Sequence, residues 1–181
     1  MVAQINRPSK TRELSALPPT MSLAQGSLQL FIAPRSQYGD VLASAVRTAG
    51  QGSEVLVVQL FQGGTQAMIK LCQHLTWLRC VCDRFLDKPE IVLSDSEITN
   101  IKSLWQTVEQ AMHTGDYRLV VVEGLDLAIQ HGLVTEAEVI ARLSDRPLSV
   151  DIVLVGESMP ASILEIADQI TRCRNLPLSE N

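Results

Sequence analysis

A chain of 181 residues, 46% hydrophobic and 19% charged, has the apolar mass to bury one core without disulfide or metal staples. A net charge of −5, with no run of Lys or Arg, offers nothing to a nucleic-acid backbone, so no nucleic-acid partner is expected. No apolar stretch approaches the ~20 residues of a membrane span and the polar N-terminus lacks a leader pattern, so a cytoplasmic protein without membrane contact is expected.

Residues 1–26 carry Pro8, Pro18 and Pro19 with no sustained period and read as a flexible arm; 27–181 read as one α/β domain. Four apolar, β-branched runs without polar alternation read as parallel strands covered on both faces: Leu28–Ala33, Glu54–Phe61, Tyr117–Glu123 and Val150–Gly156. Glu90–Leu93 is a fifth candidate, and Ile170–Cys173 a sixth at an edge. Between them the spacing predicts helices over Asp40–Ala49, stopped by Gly50, and over Thr65–Leu86, with Met68, Leu71, Leu75, Leu78 and Cys82 at steps of three and four. A further helix opens at Asp95-Ser96-Glu97 and runs to His113, closed by Gly115. Thr135-Glu136-Ala137-Glu138 has the form of a capping box whose helix ends before Pro147, and Pro160–Asp168 is the last helix. The alternation predicts a doubly wound, mostly parallel sheet of five to six strands with helices on both faces, a three-layer α/β/α arrangement.

The junction between the first strand and the first helix is where a phosphate-binding loop would sit. Such a loop needs glycines, a Lys for phosphate charge and a Ser/Thr for magnesium. Here it reads Pro34-Arg35-Ser36-Gln37-Tyr38-Gly39-Asp40, with one Gly, no Lys, no following Ser/Thr, and a proline that has no N–H to give. Asp40, at the first helical turn, is expected to hold the helix-terminal amides and dipole itself, against any anionic ligand. Cys72, Cys80, Cys82 and Cys173 fit neither a disulfide framework nor a zinc site and read as apolar filler. His74, His113 and His131 are scattered, and no nucleophile elbow accompanies them. The predicted 65–86 helix is more apolar than a one-sided surface helix needs, because Trp77 and Val81 lie off its stripe, which points to a homodimer or protein-partner contact.

From Gln29 to Arg174 the segments resemble the P-loop ATP:corrinoid adenosyltransferases, cytoplasmic enzymes that move the 5′-deoxyadenosyl group of ATP onto cob(I)alamin. Val46-Arg47-Thr48-Ala49-Gly50-Gln51-Gly52 followed by Val55–Leu60 is similar to the family's A-R-A-x-G-x-G-x-x-V-x-V-V-Q-F stretch. Leu133 to Pro147, with Glu138-Val139-Ile140, resembles its L-x-x-x-E-V-I-x-x-L-x-x-R-P helix, and Ile163–Asp168 its I-L-x-x-A-D segment. The resemblance implies a P-loop NTPase-like fold and a dimeric habit. The departures fall on the chemistry. The family loop G-N-G-K-G-K-T-T corresponds to Ala33–Asp40; its Asp-Glu pair after the third long strand is Glu123-Gly124 here; its T-G-R is Val155-Gly156-Glu157. By this resemblance the chain is also expected to do without the longer C-terminal extension usual in the family. Arg35, Ser36, Gln37, Tyr38, Gly39 and Asp40 are therefore expected as a vestigial nucleotide loop, and Glu123 as a residual metal ligand, in a non-catalytic binding, scaffold or ligand-sensing relative. ATP with magnesium, or a corrinoid, belongs only to the alternative of an active adenosyltransferase with an unconventional loop.

Overall fold

In the computed structural model residues 26–62, 68–69, 72–82, 84, 86 and 90–173 are described; the arm expected over 1–26 lies outside them but for Gly26. Seven strands form one sheet: β1 (Leu28–Ile32), β2 (Val55–Gln59), β3 (Met68–Ile69), β4 (Leu75–Arg79), β5 (Leu119–Glu123), β6 (Asp151–Gly156) and β7 (Gln169–Arg172), in the spatial order β3-β4-β2-β5-β6-β1-β7. All pairings are parallel except the short antiparallel β3–β4. The helices are α1 (Tyr38–Gly50), α2 (Asp95–Thr114), α3 (Leu125–Gln130), α4 (Glu136–Ser144) and α5 (Ala161–Glu165).

The two sheet faces carry separate cores. Leu28, Leu30, Leu56, Val58, Val120, Val122, Ile152 and Leu154 pack with residues of α2 to α5, while Phe31, Val55, Val57, Leu119, Val121, Val153 and Val155 pack with Val41, Ala45 and Ala49 of α1. Strand residues are apolar on both faces because both are covered, as the continuous β-branched runs require. The amino ends of β1 and β6 are fastened by Asp151, 1% exposed, whose Oδ1 accepts from the Ser27 amide at 2.8 Å and its hydroxyl at 3.0 Å. Both expected capping signals form: Ser94 and Thr135 each accept from the amide three residues on, and Glu97 and Glu138 return the bond. Gly115 closes α2 at φ +71°.

Three expectations are corrected. The described part of 65–86 is not a helix: it contains β3 and β4, and β4 pairs with β2 from Val55↔Leu75 to Gln59↔Arg79. Thr76 and Trp77 favour a pleated surface, and a central neighbour offering a full ladder decides a run whose apolar spacing fits either period. The partner-facing helix surface expected there is absent with it. Glu90–Leu93, the fifth strand candidate, is not a strand: it carries no sheet pairing and leads into α2, whose N-cap is Ser94, with Val92 83% exposed. The left-handed turn after α1 falls at Gly52, φ +88°, not at Gly50, which stays helical. The short α3 has no counterpart in the sequence reading, because six residues behind a non-side-chain cap show no period.

Candidate functional site

The carboxyl ends of the parallel strands lie along one edge of the sheet, the side on which open α/β sheets hold ligands. Arg79, Gln59 and Glu123 stand in register across β4, β2 and β5, so their side chains share a face, the one covered by α1. Trp77 Nε1 donates to Gln59 Oε1 at 2.8 Å, and Gln59 Nε2 donates to Glu123 Oε2 at 2.7 Å. An indole can only donate, so this chain fixes the amide's orientation and turns its NH₂ toward the carboxylate. Glu123 is 4% exposed. Burial raises its pKa above the usual carboxylate range, opposed by the Gln59 bond and by the charges of Arg35 and Arg79.

A second buried carboxylate stands nearby. Asp126, in the first turn of α3, accepts at Oδ2 from the amides of Glu157 at 3.1 Å and Ser158 at 3.2 Å, in the turn after β6. A Cβ at Gly156 would fall 2.8 Å from Asp126 Cγ, so glycine is needed there for the carboxylate to enter. Burial raises the Asp126 pKa despite those amides. Gly124 starts α3 at φ +86°, and a Cβ there would press on Phe61, 3.2 Å away, which stacks on His131 at 5.5 Å between ring centroids. Buried Tyr38 completes the setting; desolvation first, then the charges of Asp126, Glu157 and Glu123, push its phenol well above the ordinary range.

The turn after β1 carries the residues expected as a vestigial nucleotide loop. Pro34 opens a single 3-10 turn over Arg35–Gln37 that runs directly into α1. The Ala33 amide donates to Gly156 O at 3.1 Å, the Gln37 amide to Pro34 O at 2.9 Å, and the Tyr38 amide to Arg35 O. Gly39 does not have positive φ, and Pro34, Gln37 and Tyr38 stand at φ −58°, −104° and −65°. Three amides of this stretch, those of Ala33, Gln37 and Tyr38, thus close on the chain's own carbonyls. Asp40, expected to take them itself, instead stands exposed in the first turn of α1 and makes no side-chain hydrogen bond to them. Ser36 and Gly39 are exposed, Gln37 is half-buried, and Arg35 lies within electrostatic reach of Tyr38 and Glu123. Three carboxylates, Asp126, Glu157 and Glu123, lie within electrostatic reach of Tyr38, as does the Arg35 guanidinium. No group of three or more His, Cys, Asp or Glu among the described residues could hold a metal.

The structure places Arg35 and Glu123 within electrostatic reach of Tyr38, and sets Gln59, Trp77, Arg79 and Asp126 around them. Trp77 and Arg79 are legible only once β4 is read as a strand. Asp126 lies hidden in the run Leu125-Asp126-Leu127-Ala128.

A family model described as "ATP:corrinoid adenosyltransferase BtuR/CobO/CobP" matches residues 40–177. A corrinoid adenosyltransferase of Pseudomonas aeruginosa is 26% identical over 129 residues, covering 69% of this chain and 63% of that protein. An uncharacterized protein of Nostoc sp. is 30% identical over 64 residues, covering 35% of this chain and 17% of its own length. The chain spans less than two thirds of these curated relatives. With its parallel sheet and two-sided cores, this chain belongs to the ATP:corrinoid adenosyltransferase family.

Proposed function

We propose that this chain is a non-catalytic member of its family, a binding, scaffold or ligand-sensing protein that keeps the fold but not the means to hold a nucleoside triphosphate. The observation that carries this reading is the turn after β1, where the amides of Ala33, Gln37 and Tyr38 donate to carbonyls of the chain itself. Opening them would break those bonds and set phosphate oxygens near Glu123, Asp126 and Glu157, whose like charge repels a polyanion. A single guanidinium at Arg35 does not replace a multi-amide cradle. A subunit or partner contact would use the β3–β4 edge of the sheet, since the helix expected there is absent.

The test is cobalt–carbon bond formation from reduced cobalamin and Mg-ATP, followed by visible absorbance on a sample shown to be folded. No adenosylated product is expected. Steady turnover would establish the alternative, an active adenosyltransferase with an unconventional loop.

A further inference from the structure

We draw no further inference here: the strongest candidate, the apolar cavity between α1 and the sheet lined by Phe31, Val41, Ala45, Val121 and Val153, carries nothing because at about 20 Å³ it has room for a water molecule and for no larger ligand.

Discussion

Glu123 and Glu97 are both buried carboxylates, yet their surroundings drive them in opposite directions. Glu97 receives two bonds from Arg84, Nε to Oε1 at 2.8 Å and Nη2 to Oε2 at 2.6 Å, and further bonds from the Ser94 amide and hydroxyl. The Arg84 pairing, then Ser94, holds its pKa down at about 2. A carboxylate depressed in the folded state contributes stability above its unfolded pKa of about 4.3 and loses it as pH falls toward about 2. Arg84→Met should therefore lower Tm at pH 7, with a deficit that shrinks between pH 4 and pH 2; a deficit constant with pH would assign the effect to packing alone. Glu123 is the reverse case. Its pKa is raised by desolvation, so its destabilising contribution is absent below about pH 4 and grows as pH rises through the folded value. Glu123→Gln, which keeps an acceptor for Gln59, should raise Tm at pH 8 and leave it unchanged at pH 3. A Tm drop at pH 8 would mean that the charge is held by something favourable in the site.

At the scale of elements, caps and turns are readable from sequence because their chemistry is local. Ser94 and Thr135 act within three residues of themselves, and Ser94→Ala should cost about 1 kcal/mol by chemical denaturation, whereas Ser96→Ala should cost much less. Gly124 is a nonlocal case. Its φ of +86° and the Phe61 ring 3.2 Å from where a methyl would stand make Gly124→Ala costly by about 1–3 kcal/mol, an expectation that near-neutral denaturation would contradict. β4 is hidden from a sequence reading for the same reason: Leu75, Leu78 and Cys82 satisfy a helical step, and only the β2 ladder, nearly twenty residues away in sequence, selects the strand. The row Arg79–Gln59–Glu123 is hidden with it. Replacing Ala33–Asp40 by a glycine-rich phosphate loop tests how much else of the site has changed. Weak nucleotide binding without turnover is expected, and robust adenosylation by the graft would mean that the loop alone had been lost.

For the whole molecule, the order of β-branched runs and intervening helices carries the layers, since a parallel sheet covered on both faces leaves few alternatives. Long-range electrostatics are less legible, because Asp126 and Glu157 approach Tyr38 only when α3 and the β6 turn converge. Among the described residues no helix is long and apolar enough to cross a membrane. What unites the scales is a strand-end site where the amides of Ala33, Gln37 and Tyr38 donate to the chain's own carbonyls and where Asp126, Glu157 and Glu123 stand with Arg35 around Tyr38. Isothermal calorimetry with Mg-ATP at millimolar concentration examines that most directly. The account predicts no saturable heat, and unchanged amide resonances at Gln37 and Tyr38. Micromolar binding that shifts those amides would contradict it.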